Sequence, residues 1–294
     1  MTASAELRSG KGHTDENFPV ASLLIRRRHR PAILAFYEFV RTADDIADHP
    51  QLSADEKIER LDALESSLVG QDDKEPEGVK LRNVLRERSL SPQHAQDLLQ
   101  AFRRDAVKLR YANWDELIDY CRYSAMPVGR YVLDVHGESH ATWPANDALC
   151  VALQIINHLQ DCGADYRNLD RVYVPLDALA VQGLTVEALG ESKASPALAA
   201  CLRALADRTA QLLEQSRPLS SFTADTRLAM EISVIQTLAE RLVEVLRTHD
   251  PLSEPVHLNK SAMLLTSLGG ATRGLLRRLF NRPSLPAAGA GALR

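Results

Sequence analysis

The chain has 294 residues, 45% of them hydrophobic and 25% charged, the balance of an ordinary globular protein able to bury a large core. A formal net charge of -4 and a pI near 6.2 argue against nucleic acid as a partner, because gripping a phosphate backbone needs a concentrated basic surface. Four cysteines, Cys121, Cys150, Cys162 and Cys201, show no CxxC spacing, which disfavours a zinc site or a disulfide framework and fits a reducing cytosol.

The first residues, MTASAELRSGKGHTDENF, lack the apolar core of a signal peptide, and no apolar run is long enough to span a bilayer. The expectation is a cytoplasmic protein that is not integral to a membrane. Helical periodicity then runs almost without a break. Start signals recur at Pro31, at the Ser53-Ala54-Asp55-Glu56 capping box, at Ser91-Pro92 and at Asn113 before WDELIDYCRY. The acidic, glycine-bearing stretch QDDKEPEGVK reads as an exposed loop. Further helices are predicted over 145–163, 196–215, 224–248 and 257–280, separated by turns such as RPLSSF and HDPLSEP. Strand signals are almost absent, so the chain reads as all-α, a helical bundle around a central cavity. Residues 1–281 read as a single domain and 282–294, ending PSLPAAGAGALR, as a disordered tail.

Two of these helices carry Asp-x-x-x-Asp pairs, Asp44/Asp48 in RTADDIAD and Asp161/Asp165 in NHLQDCGAD. At a spacing of four, both carboxylates of a pair leave the same helix face, where like charges repel and a cation must compensate them. Magnesium suits this role, since it takes oxygen ligands and completes its octahedron with waters and substrate phosphates. Two such pairs facing each other would form a jaw for a diphosphate. The polar stripes extend further, through Tyr37, Arg41, Asp44 and Asp48 on one helix and Gln154, Asn157, Asp161 and Asp165 on the other. Hydrophobic residues flank both stripes, which therefore look toward an interior or a cavity rather than bulk water. A single isolated pair would read as a solvated helix face; mixed Lys and Glu, the usual signature of such a face, are missing here.

Three more segments bear on chemistry. DYCRYSAMPVGRYVLDVHG reads as one helix bent at Pro127 and thinned by Ser124, Ala125 and Gly129. It suits either the wall of an apolar cavity lined by Tyr120 or a close helix–helix contact. In DYRNLDRVYVPLD, Arg171 and Tyr173 follow the second pair as the chain leaves its helix, and an Arg fork with a Tyr hydroxyl suits phosphate oxygens. Residues 263–280, MLLTSLGGATRGLLRRLF, form a basic amphipathic helix that either docks on an anionic membrane surface or packs on the bundle.

Taken together and in order, YEFVRTADDIAD, YCRYSAMPVG and LQIINHLQDCGADYRNLDRVYVP resemble the squalene and phytoene synthases, head-to-head prenyl transferases, over about residues 13–280. GKGHTDENFPVAS, RHRPAILAFYEFVR and NHLQDC are similar to the bacterial hopanoid-pathway branch of that family. The resemblance implies an isoprenoid synthase-type fold in which Asp44, Asp48, Asp161 and Asp165 hold Mg2+, with Gln154 and Asn157 supporting the second cluster. It implies that Arg41, Arg171 and Tyr173 contact the diphosphate, that Phe18, Tyr37 and Tyr120 line a prenyl channel, and that His13 lies in a diphosphate-side segment.

Gln160 and Ala164 stand where the family often has Arg and Glu, and YCRYSAM where it has YCYxVAG. The thinner charge fits a branch that takes one already joined substrate, turning presqualene diphosphate and water into hydroxysqualene and diphosphate beside other squalene-pathway enzymes. Synthesis of presqualene diphosphate, squalene or phytoene is the alternative activity, and a catalytically silent scaffold is the alternative of another class. No GxGxxG fingerprint supports reduction by a bound dinucleotide.

Overall fold

A computed structural model describes residues 24–258 and Gly270. The positions of His13 and Phe18, residues 263–280 apart from Gly270, and the 282–294 tail lie outside the described residues. The chain is all-α, as the periodicity predicts. In order the helices are α1 (Arg30–Ala47), α2 (Ala54–Val69), α3 (Pro76–Glu87), α4 (Gln93–Val107), α5 (Trp114–Ser124), α6 (Met126–His136), α7 (Trp143–Leu169), α8 (Leu176–Val181), α9 (Pro196–Ser216), α10 (Leu219–Phe222) and α11 (Thr226–Leu246). Short 3-10 turns lie at His140–Thr142 and Val186–Gly190. Among the described residues there is no strand, only one parallel bridge between Arg110 and Val172. No described helix is long and apolar enough to cross a membrane.

By its internal contacts the chain divides into two compact units, one of 1–108 with 127–138 and one of 109–126 with 139–294. In the first, α1 packs against α2, α3 and α4, and α2 against α3 and α4. Ala32, Phe36, Phe39, Ala43 and Ile46 repeat at helical spacing on α1 and are all buried, so this face drives the packing. Tyr131 of α6 stacks on Phe36 with ring centroids 3.9 Å apart and donates its hydroxyl to the Ala32 carbonyl at 3.0 Å, tying α6 to α1. In the second unit α7 is the central helix, packing against α5, α9 and α11. Ala152, Ile155, Ile156 and Leu159 form its buried face.

The local signals hold where caps decide them. Pro31 occupies the first turn of α1, Ser53 and Glu56 make a reciprocal capping box, and the Asn113 side chain accepts the Glu116 N–H at 2.9 Å. Three expectations need correction. The second half of QDDKEPEGVK is not loop: Pro76 opens α3, and Gly78 brings that helix so close to α2 that a Cβ would stand 2.8 Å from the Leu64 carbonyl oxygen. The segment around Pro127 is two helices rather than one bent helix. Ala125 breaks the helix at φ -124, ψ -51, and Pro127 falls in the first turn of α6, where its missing N–H costs nothing. In RPLSSF, expected as a turn, Leu219–Phe222 closes a short helix whose Leu219 is buried.

Gly270 is helical and buried, and a Cβ there would come 2.9 Å from the Ser233 carbonyl oxygen on α11.

Candidate active site

Asp44 lies in the last turn of α1 and Asp48 is its C-cap, with the Asp48 N–H bonded to the Asp44 carbonyl at 2.9 Å. That end of a helix carries the negative pole of the backbone dipoles, and no basic residue sits in the last turn of α1. Two carboxylates on a negative pole raise the local demand for a cation. Part of it is met by Arg41, which donates from Nη1 to Asp44 and from Nη2 to Asp45, both at 2.8 Å. The Nη1 bond holds the Asp44 side chain, which stays 36% exposed. Asp45 is buried and was not singled out by the spacing argument, since it lies off the stripe. Tyr37, one turn before Arg41, is half-buried on the same stripe.

The second pair sits toward the C-terminal end of α7, which runs six residues past the predicted limit to Leu169. Asp161 is exposed and Asp165 half-buried, while Gln154 and Asn157 continue the stripe as half-buried residues. Between the aspartates lies Cys162. Burial, followed by the charge of Asp165, pushes its thiol up to about 12, so it stays a neutral thiol.

The helix stops at Asp170, which adopts the left-handed conformation at φ 50. The chain then runs alongside 109–112: the Val172 N–H bonds the Leu109 carbonyl at 2.8 Å, the Leu176 N–H bonds the Tyr111 carbonyl at 3.0 Å, and Arg110 pairs with Asp170. This pairing holds Arg171 and Tyr173 just beyond the acidic helix end, where the sequence put them. Arg171 is 6% exposed, which removes the reading of a surface arginine.

Tyr173 joins a buried ring cluster. It stacks on His158 with centroids 3.6 Å apart, lies 5.6 Å from Tyr111 and 5.5 Å from Tyr120, and Tyr120 in turn lies 6.1 Å from His158. Tyr120 and Tyr173 were singled out in the sequence for different roles; the structure brings them together. Tyr111 and His158 were missed, although His158 lies inside NHLQDC. Burial, helped by the positive charge of Arg171, pushes His158 down to about 3, so the imidazole is neutral at physiological pH. Its Nε2 lies 3.1 Å from Nε2 of Gln154.

Among the described residues, no three or more of His, Cys, Asp and Glu gather into an all-protein metal cage. Mg2+ ordinarily keeps waters and adds substrate phosphates to one or two carboxylates. The short, hard carboxylates of Asp44 and Asp48 at the end of α1, and of Asp161 and Asp165 in the C-terminal part of α7, suit that mode.

The family model described as squalene/phytoene synthase matches residues 11–262. The chain is 59% identical to a hydroxysqualene synthase of Rhodopseudomonas palustris, over 96% of this chain and 97% of that protein. It is 52% identical to a hydroxysqualene synthase of Zymomonas mobilis, over 95% and 93%. A crystal structure of squalene synthase HpnC from Alicyclobacillus acidocaldarius superposes with a TM-score of 0.71 at 32% identity, covering 83% of this chain and 91% of that one. A dehydrosqualene synthase structure, at 19% identity, shares the fold with a TM-score of 0.77 over 92% and 94%. The chain belongs to the squalene/phytoene synthase family and has its all-helical isoprenoid synthase fold.

Proposed function

We propose that this chain is a Mg2+-dependent hydroxysqualene synthase that converts presqualene diphosphate and water into hydroxysqualene and diphosphate. The observation that carries the reading is the end-to-end likeness to hydroxysqualene synthases, combined with an acidic pair at the C-terminal end of α1 and a second in the C-terminal part of α7. Asp44, Asp48, Asp161 and Asp165 would hold the metal, with Gln154 and Asn157 beside the second pair. Bound Mg2+ would neutralise the leaving diphosphate. Arg41 holds Asp44 in place, and Arg171 adds positive charge for the phosphate oxygens. Loss of diphosphate leaves a cyclopropylcarbinyl cation, which aromatic faces such as those of Tyr37, Tyr120 and Tyr173 stabilise before water captures it. His13 and Phe18 belong to the same reading as substrate contacts. The greasy product favours work beside other squalene-pathway enzymes at the cytoplasmic membrane surface, with 263–280 as the contact.

The test is to give purified protein presqualene diphosphate, farnesyl diphosphate and geranylgeranyl diphosphate separately, each with Mg2+, and to identify products by mass spectrometry. Hydroxysqualene from presqualene diphosphate alone is expected. Turnover of farnesyl diphosphate with none of presqualene diphosphate would overturn the reading. A second reading, squalene synthesis, draws on the name of the solved relative from Alicyclobacillus; squalene formed from presqualene diphosphate only when a reductant is added would favour it.

A further inference from the structure

His158 lies one turn after Gln154 and one turn before Asp161 on α7, so it borders the polar stripe while its own ring is buried. The ring is held face-on by Tyr173, with planes 15° apart. Its hydrogen bond pairs nitrogen with nitrogen, His158 Nε2 and Gln154 Nε2 at 3.1 Å. An amide nitrogen can only donate, so the imidazole accepts, and it must be the neutral tautomer with its proton on Nδ1. A Gln side chain turns readily by half a rotation, exchanging its N–H and C=O ends, unless a partner can take only one of them. Here Gln154 presents its N–H end to the buried ring nitrogen. The carbonyl end is turned away from His158.

Resting on the hydroxysqualene synthase reading, we propose that His158 is a positioning residue for water capture. By accepting the Gln154 N–H, it commits the Gln154 carbonyl oxygen to the stripe it shares with Asn157 and Asp161, as the acceptor that holds the nucleophilic water. The carbon–oxygen bond to the diphosphate breaks, and its electron pair leaves with the diphosphate. The water, with one hydrogen bonded to Gln154, gives its lone pair to the resulting cation and forms the new carbon–oxygen bond. The oxonium then loses one proton to the released diphosphate. Nothing in these steps oxidises or reduces the substrate. His158 carries no proton in them; it sets which end of Gln154 the water meets. An apolar ring at position 158 would keep the stack on Tyr173 and lose that control, leaving the cation to shed a proton and end as a hydrocarbon.

The experiment compares wild type and His158→Phe with presqualene diphosphate and Mg2+, measuring diphosphate release and the ratio of hydroxysqualene to hydrocarbon products. In His158→Phe the hydroxysqualene-to-hydrocarbon ratio should fall about tenfold or more, the effect of losing one well-placed hydrogen bond in a closed site, while diphosphate release changes less than about threefold. An unchanged ratio in His158→Phe with native circular dichroism would overturn the inference and leave the hydroxysqualene reading standing. A parallel fall of both quantities would also overturn it, by showing a merely structural role. If wild-type protein releases no diphosphate from presqualene diphosphate, the reading beneath the inference is itself wrong.

Discussion

Asp48 shows most compactly how position gives a residue its chemistry. A carboxylate is ordinarily favoured at the start of a helix and disfavoured at its end, yet Asp48 caps the C-terminus of α1 with Asp44 one turn before it. Stability alone would not select this arrangement; the proposed cation-binding role would account for it. Replacing Asp44 and Asp161 together by Asn, which keeps shape and removes charge, should lower turnover by at least about 100-fold with an unchanged helical spectrum. Turnover that survives the double replacement would favour the silent-scaffold alternative. His158 gives a second prediction, in stability. The unfolded chain takes up a proton at this residue near the ordinary value of 6.5, whereas the folded imidazole refuses one down to about 3. Between those values the folded state binds fewer protons, so its stability is fully present above 6.5 and declines as pH falls toward 3. Urea unfolding at pH 7 and pH 5 should show His158→Phe losing less stability than wild type, by on the order of 1–2 kcal/mol. The polar stripes were legible as spacings of three and four. Asp45 was not, because only the structure shows that Arg41 divides itself between two carboxylates.

At the level of the elements, caps and apolar periodicity carried most of the information. The capping box at Ser53 and the Asn113 cap mark their helices unambiguously, because each satisfies backbone donors that nothing else in the local sequence could. Errors arose where a tertiary contact decided the outcome. The composition of QDDKEPEGVK suggests a solvated loop, but Gly78 owes its place to the backbone of α2. A methyl group at that position would stand 2.8 Å from the Leu64 carbonyl oxygen and 3.0 Å from the Leu68 nitrogen, neither of which can swing aside. Gly78→Ala should therefore destabilise the protein by about 1–3 kcal/mol, measured by chemical unfolding, despite the better helix propensity of alanine. A stabilised variant would mean that α2 and α3 lie farther apart than described. The break at Ala125 was likewise hidden, since a proline kinks a helix or begins a new one depending on the turn it occupies, and sequence alone left Pro127 inside a continuous pattern.

For the molecule as a whole, the all-α class followed from near-continuous helical periodicity, and its membership in the squalene/phytoene synthase family was readable from three motifs in order. The ring cluster of Tyr111, Tyr120, His158 and Tyr173 could not be read that way. Its members come from an extended segment, α5, α7 and the strand-like stretch after α7, and only the pairing of 109–112 with 171–176 brings them together. The account requires that this scaffold end its reaction by adding water to a cation once diphosphate has left. The most direct measurement is mass spectrometry of the product formed from presqualene diphosphate and Mg2+ in water enriched in the heavy oxygen isotope. The account predicts hydroxysqualene carrying one heavy oxygen on carbon; a product without it, or a hydrocarbon alone, would contradict it.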